Sequence, residues 1–470
     1  MENTSERPFE RVHFIGIGGA GMSGIALVLH QRGYQVTGSD LKASRYTRAL
    51  VAQGIDVTVG HAAETIDRVA PEVVVISTAI PETNPELARA RELGCEVWHR
   101  AKMLSYLSRG AITVACAGTH GKTTTSSLAA TMLERMGEKP TFLIGGIVDG
   151  YETNGFSGEG PYFVAEADES DGSFLFLDPN VVIVTNIEAD HLDHYGSLEA
   201  IEEAFCKLMA SVPEQDGCLI VCGENPRLPE LARGCGRRVL TYGFGAENDV
   251  VCVPLSDDAA GNSFEVVLPD GSRHRVCLAH NPGTHNCLNA SAVLTLAHVL
   301  GLPTGQAADA ISSFLGVHRR FELVGDVDGV RVIDDYGHHP TEIAATLRAA
   351  ASQGRKRVRV VFQPHRYSRT QALAADFGGA FVDADEVFVM DVFSAGETPI
   401  PGVSGKTVAT AVKAAHPDAA VTYMPSRAEV VQHLAATSGP GDMVITMGAG
   451  DVTVLGPMIV EALEARKADR

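Results

Sequence analysis

The chain is expected to be an α/β protein of three domains, each built on a mainly parallel sheet, and three observations carry this expectation. Its 470 residues amount to about three domains at roughly 150 residues each. Short apolar runs of strand type alternate with helix-length segments from end to end. Several of those runs end in glycines or in acidic residues, at the strand ends where ligands of open parallel sheets gather.

In the first domain, Val12-His13-Phe14-Ile15 reads as a strand that runs into glycines, and Met22 to His30 as the helix after it. Gln35-Val36-Thr37 and Val73 to Ile76 are further strands, with a helix over Pro85 to Leu93. A second strand, loop and helix begins at Ile112-Thr113-Val114-Ala115, passes through Gly118 to Thr124 and continues as a helix to Met136. Tyr162 to Ala165, Val181 to Val184 and Cys218 to Val221 are strands that end in polar residues, whereas Asn248 to His274 reads as antiparallel hairpins with Asp270-Gly271 at a turn. One helical segment is expected from Asn289 to Leu315. The last domain takes Val330 to Ile333, Arg357 to Phe362, Glu386 to Met390 and Met443 to Met447 as strands. The expected domains are residues 1–109, 110–317 and 318–470.

Composition narrows the function classes. A formal net charge of −20 speaks against a protein whose main task is to neutralise nucleic-acid or membrane phosphates. With 45% hydrophobic and 20% charged residues the chain is neither disordered nor a membrane bundle, and no apolar run reaches the roughly 18 residues of a spanning helix. Nine cysteines, odd in number and without a CxxC pair, predict reduced thiols in a cytoplasmic compartment. The 48 glycines exceed the usual share of roughly 7% and direct attention to glycine-rich loops.

The sharpest of these loops is Gly118-Thr119-His120-Gly121-Lys122-Thr123-Thr124. Phosphate oxygens require converging backbone N–H donors, a lysine supplies a point charge, and the next hydroxyl completes a Mg²⁺ shell. The usual phosphate-loop spacing would place glycine at Cys116, so this is a variant, and ATP is its expected ligand. Gly16-Ile17-Gly18-Gly19-Ala20-Gly21 satisfies G-x-G-x-x-G between strand and helix, with Asp40 nineteen residues beyond Gly21. Any pyrophosphate-bearing nucleotide fits that loop, a nicotinamide cofactor included. Acidic strand ends at Glu166 to Asp171 and Glu188 to His194 offer oxygen ligands to a hard cation, and no Cys/His set has zinc spacing. Three cationic clusters, His318-Arg319-Arg320, Asp334 to Pro340 and Gln363 to Arg369, point to an anion-handling cleft.

With these motifs assembled, the chain from about His13 to Asp451 resembles the Mur ligases of peptidoglycan precursor synthesis, in their alanine-adding branch. The likeness rests on His13 to Gly24, Ala117 to Thr125, Glu166 to Phe174, Asn186 to Tyr195, Asp334 to Glu342 and His365 to Thr370. The resemblance implies a Rossmann-like N-terminal domain for a UDP-sugar, a central phosphate-loop ATPase-type parallel sheet with a small antiparallel part, and a Rossmann-like C-terminal lid for the amino acid. It implies ATP-dependent ligation of L-alanine to the lactyl carboxylate of UDP-N-acetylmuramate through an acyl phosphate, with Mg²⁺ as metal and neither nucleic acid nor membrane insertion involved. Gly16, Gly18, Gly19, Ala20, Gly21 and Asp40 would then bind the UDP-sugar. Gly118 to Thr124 would hold ATP phosphates, Lys122 among them, with Thr123 on one Mg²⁺ and Glu166 and His191 on a second. His285, Asn286 and Asn289 match the adenine-side segment, and Arg320 the phosphate-facing arginine. Tyr336, His338, Arg366 and Arg369 match positions around the alanine, where an arginine clamps the carboxylate and His338 orients or moves a proton. Other Mur ligases carry a carbamylated lysine after D-H-x-D; here Phe205 falls at that spacing and Lys207 two residues on. The alternatives are a recycling ligase that attaches a whole peptide to the same sugar, an oxidoreductase built on Gly16 to Gly21, and a nucleotide sensor without catalysis.

Overall fold

A computed structural model describes residues 7–258 and 261–468. Among them the chain builds three sheets. It divides into two compact units: one runs to Val253 and takes in Val266–His274 and Leu288–Phe314, and the other comprises Pro254–Glu265, Arg275–Cys287 and Leu315–Arg470. No described helix is long and apolar enough to cross a membrane.

The first sheet holds β1 (Arg11–Ile15), β2 (Gln35–Asp40), β3 (Asp56–Val59), β4 (Val73–Ile76) and β5 (Glu96–His99), all parallel, in the order β3-β2-β1-β4-β5. The order reverses between β1 and β4, so the glycine loop after β1 opens at a switch point, where side connections diverge and leave a crevice. Helix Ala20–Gln31 follows that loop and buries Met22 to Leu29.

The second sheet comprises β6 (Ile112–Ala117), β7 (Thr141–Val148), β8 (Thr153–Phe156), β9 (Tyr162–Glu166), β10 (Val181–Val184), β11 (Cys218–Cys222), β12 (Val239–Gly243), β13 (Val250–Asp258), β14 (Gly261–Val267) and β15 (Arg273–Leu278). Its order, β15-β14-β13-β12-β11-β10-β6-β9-β7-β8, sets β6 between β10 and β9, both parallel to it. Val114 to Ala117 and Val181 to Val184 are almost wholly buried, as strands covered on both faces must be. Each such Val or Ile contributes roughly 1.5–3 kcal/mol of burial. The turn at Asp270-Gly271 forms as expected, with Gly271 at φ +82. Residues 259–260, between β13 and β14, lie outside the described residues.

The third sheet holds β16 (Glu322–Val327), β17 (Val330–Asp335), β18 (Arg357–Phe362), β19 (Glu386–Val389), β20 (Ala420–Tyr423) and β21 (Asp442–Met447), in the order β16-β17-β21-β18-β19-β20. Only β16 and β17 pair antiparallel. Strand residues alternate between two cores. Val360, Phe362, Ile445 and Met447 pack with Ile343 and Phe377, while Val361 and Val444 pack with Leu434, Leu455 and Ile459. Helices therefore cover both faces, and polar strand ends are left at the carboxyl edge.

One expected element is corrected. The segment Asn289 to Leu315 is two helices, Thr284–Val299 and Thr304–Ser312. Gly301 takes φ +69 at the end of the first, and Pro303 caps the second. A left-handed glycine followed by proline stops a helix, because neither the backbone direction nor the missing N–H lets it continue.

Candidate active site

The phosphate-type loop is shaped by the end of β10. Gly118 and Gly121 take φ +128 and +84, and a β-carbon at Gly118 would stand 2.1 Å from Oγ1 of Thr185. Only glycine fits there. The His120 amide donates to Oδ1 of Asn186 at 2.8 Å, the Glu188 amide donates to Oγ1 of Thr119 at 2.8 Å, and Asn186 Nδ2 donates to the His120 carbonyl at 3.1 Å. Gly121 ends the loop as the uncapped N-cap of helix Lys122–Arg135, leaving first-turn amides for an anion. Asn289 comes close to the same glycine, since a β-carbon on Gly121 would lie 2.9 Å from its Oδ1.

Lys122 points back across this loop. Its ammonium donates to the carbonyls of Gly118 and Thr119 at 2.7 and 3.1 Å and lies 2.8 Å from Oε2 of Glu169. Burial pulls the lysine down, but Glu169, Asp168 and Glu166 outweigh it and hold it protonated. Burial pushes Glu169 up to about 7 against the pull of Lys122. Thr123 donates to Oε1 of Glu166 at 3.0 Å, and the Gly145 amide donates to Oε2 at 2.7 Å. Burial raises the Glu166 carboxyl, with Lys122 opposing. A hydroxyl and a carboxylate side by side, both hard oxygen donors at the mouth of an anion loop, fit Mg²⁺. His191 is left-handed, at φ +53, and its Nε2 lies 3.7 Å from Oδ2 of Asp190. Among the described residues Glu166 and His191 share no cluster of three side-chain donors. Phe205 is buried edge-on against Phe174 and Lys207 is exposed, so the position that the resemblance sets against a carbamylated lysine is apolar here.

At the glycine loop of the first sheet, the amides of Gly16 and Ile17 donate to the Ser39 carbonyl at 2.8 and 3.0 Å. Asp40 accepts from the Gly18 amide at 2.9 Å, so this acid braces the loop itself. Gly19 is the N-cap of helix Ala20–Gln31, and no side chain caps it. Beneath the loop lies a buried polar knot that the motifs do not reveal. Glu86 is fully buried with Ser39, which donates to it, with His13 at 3.5 Å and with His61 at 3.4 Å. A histidine inside an otherwise apolar strand was its one trace in the sequence.

The second unit gathers the remaining residues. Tyr336 lies between two guanidiniums, Arg319 at 4.9 Å and Arg320 at 5.1 Å from its ring. Arg320 also pairs with Glu342 at 3.5 Å. His338 stands edge-on to Tyr336 and His365, and its Nδ1 lies 3.2 Å from the Tyr336 carbonyl. Burial pushes His338 down to about 3 and His365 to about 4, with the Arg369 charge adding to both. Two neutral imidazoles among arginines suit a carboxylate and an uncharged amine. Arg366 holds φ +66, its amide donating to the Phe393 carbonyl at 2.8 Å. His285 is pushed down to about 4 by burial and by Arg320, and Asn286 donates to the Pro282 carbonyl at 3.0 Å. Asp335 belongs here as well: burial pushes it up to about 6 while it accepts from the amides of Phe321 and Gly337. His365 and Asp335 stood inside the quoted motifs without being singled out, because neighbouring arginines and histidines carried the clearer chemical signal.

Residues 11–111 match the Mur ligase family, catalytic domain; residues 116–297 the Mur ligase middle domain; and residues 319–450 the Mur ligase, glutamate ligase domain. The UDP-N-acetylmuramate--L-alanine ligase of Mycobacterium ulcerans is 47% identical, covering 98% of this chain and 96% of its own. That of Pelotomaculum thermopropionicum is 48% identical, covering 96% and 97%. Among solved structures, the UDP-N-acetylmuramate-alanine ligase from Thermotoga maritima aligns with a TM-score of 0.82 at 30% identity, over 97% of this chain and 99% of that one. A murein peptide ligase from Psychrobacter arcticus aligns at 0.72 and 25% identity, over 96% and 98%. Sharing sequence over nearly its whole length with such relatives, the chain belongs to the Mur ligase family.

Proposed function

We propose that this protein joins L-alanine to the lactyl carboxylate of UDP-N-acetylmuramate, forming ADP and phosphate from ATP. The observation that carries the reading is the half-buried constellation of Lys122, Thr123 and Glu166 at the carboxyl ends of β6 and β9, in a chain 47% identical to alanine-adding ligases. In this reading residues 1–109 take the UDP-sugar, 110–317 the ATP and 318–470 the amino acid.

A carboxylate is a poor acyl donor, so the lactyl oxygen first attacks the γ-phosphorus of ATP, the bond to the β,γ-bridging oxygen breaks, and ADP leaves. Lys122 meets the phosphate charge and the amides of Gly118 to Thr124 orient it. Mg²⁺ held by Thr123, and a second ion by Glu166 with His191, would supply further charge neutralisation. His285, Asn286 and Asn289 serve the adenine side, and Arg320 a phosphate. Arg366 and Arg369 fork the alanine carboxylate, and Tyr336 and the neutral His338 orient the amine. The amine attacks the acyl carbon, a tetrahedral intermediate forms, and phosphate departs as the amide closes. In this reading the reaction takes place in the cytoplasm.

The test is ADP release with UDP-N-acetylmuramate and each of L-alanine, glycine, L-serine and the tripeptide L-alanyl-γ-D-glutamyl-meso-diaminopimelate. Turnover with L-alanine is expected. Turnover with the tripeptide alone would assign the chain to peptide recycling instead.

A further inference from the structure

We propose that Arg100 is a binding residue for the anionic part of the UDP-linked substrate, held over the glycine loop by Asp171 of the acidic loop. The proposal rests on the reading of Gly16 to Gly21 as the UDP-sugar loop.

Arg100 begins the helix Arg100–Ser108 directly after β5, at the carboxyl edge of the sheet that carries the glycine loop. Its Nη2 donates to Oδ2 of Asp171 at 2.9 Å and to Oγ of Ser173 at 3.0 Å. Asp171 is itself tied down, accepting from the Ser173 amide at 3.0 Å and from Oγ1 of Thr78 at 3.5 Å. The other end of the guanidinium faces the loop, since a β-carbon at Gly21 would stand 3.2 Å from Nη1. A β-carbon there would make the guanidinium give way by a few tenths of an ångström.

A guanidinium has five N–H donors, and the bonds to Asp171 and Ser173 use only those of Nη2. Among the described residues Nη1 and Nε have no hydrogen-bond partner. An arginine serving only as a strut would spend its fork on its carboxylate. Here the fork is gripped at Nη2, and Nη1, turned to the glycine loop, keeps its N–H donors for an oxygen of a phosphate or carboxylate. Charge adds to the argument, because the segment Gly16 to Gly21 holds no cation while a UDP-linked acid brings several negative charges. Asp171 lies on the loop that leaves β9 at Glu166 and bears Glu169. The guanidinium that meets the sugar's anion is thus anchored on the segment that engages Thr123 and Lys122.

The experiment measures KM for each substrate by ADP release, and the Kd of UDP-N-acetylmuramate by calorimetry without ATP, for the wild-type chain and the Arg100→Ala, Arg100→Lys and Asp171→Asn variants. Arg100→Ala is expected to raise both KM and Kd for UDP-N-acetylmuramate by about tenfold or more, as loss of charge-assisted bonds does, leaving KM for ATP and L-alanine little changed. Arg100→Lys, which keeps the charge without the fork, and Asp171→Asn, which loosens the anchor, should fall between. An unchanged Kd for the UDP-sugar in Arg100→Ala would overturn the proposal, and so would an equal rise in all three KM values with a lowered Tm. Failure of the wild-type chain to bind or turn over UDP-N-acetylmuramate would instead overturn the functional reading beneath it.

Discussion

The ammonium of Lys122 and the carboxylate of Glu169 stand 2.8 Å apart, with 12% and 3% of their side chains exposed. They come from the ends of neighbouring strands, one opening the helix after β6 and the other lying beyond β9. A phosphate entering the loop therefore competes with a carboxylate already in place. Removing one member of such a buried pair leaves the other uncompensated, at a cost of about 3–5 kcal/mol while it stays charged.

For Lys122→Ala we expect loss of ADP formation together with a pH-dependent loss of stability. Glu169 sits near 7, above its ordinary value, so the folded state binds more protons than the unfolded one and stability declines as pH rises through that window. Without Lys122 the lowering pull on Glu169 is lost and the decline extends to higher pH. Calorimetry should show the Tm gap to wild type widening from acidic to mildly alkaline pH, and Lys122→Ala/Glu169→Gln should close it. An equal gap at every pH would contradict the argument.

Glu166→Gln tests the metal assignment. The variant keeps the bond from Thr123 but loses a negative oxygen ligand, so the Mg²⁺ concentration for half-maximal rate should rise and the saturated rate fall, on the order of a hundredfold. ADP release titrated with Mg²⁺ measures both. An unaltered Mg²⁺ dependence would remove Glu166 from the metal site.

The buried imidazole of His338 predicts a distinct acid response. Its value of about 3 lies below the ordinary histidine range, so the unfolded chain binds the extra proton and stability is lost as pH falls below about 6.5 toward that value. His338→Asn should flatten this acid limb of the Tm profile. The wild-type rate should show no limb from His338 protonation near neutral pH, because the ring is already neutral there.

Arg366, proposed to fork the alanine carboxylate, has its backbone at φ +66, ψ 140, a region left mainly to glycine. In Arg366→Gly the relief of about 1–3 kcal/mol of strain offsets the added chain entropy of glycine, about 0.5–1 kcal/mol. The Tm should hold or rise while KM for L-alanine rises about tenfold or more. Arg366→Lys keeps the strain and the charge and loses the fork. A fall in Tm with unchanged KM for Arg366→Gly would reverse the assignment.

Much of the fold was legible because its signals are local. Fully apolar runs such as Val181 to Val184 and Val73 to Ile76 mark strands covered on both faces, and glycines at 16, 118 and 121 mark loops that open helices. Short edge strands escaped, among them β3 and β20, whose half-exposed residues carry little apolar signal. The hairpins β7–β8 and β16–β17 were missed for a related reason: their identity lies in pairing between neighbours. The break in Asn289 to Leu315 was written at Gly301 and Pro303 and outweighed by the apolar helix pattern around it.

The site divides along the same line. Sequence alone determined which residue types stand at strand ends: a lysine and threonine after β6, carboxylates after β9 and β10, and arginines and histidines after β17 and β18. Tertiary structure decided what each of them meets. Setting β6 between β9 and β10 gives Lys122 to Glu169 and Thr123 to Glu166, partners 47 and 43 residues away. Burial, which depends on everything packed around a ring, keeps His338 and His365 neutral. Strand and loop character follow from a few adjacent residues, whereas charge state and partnership arise only when distant segments share one low-dielectric space.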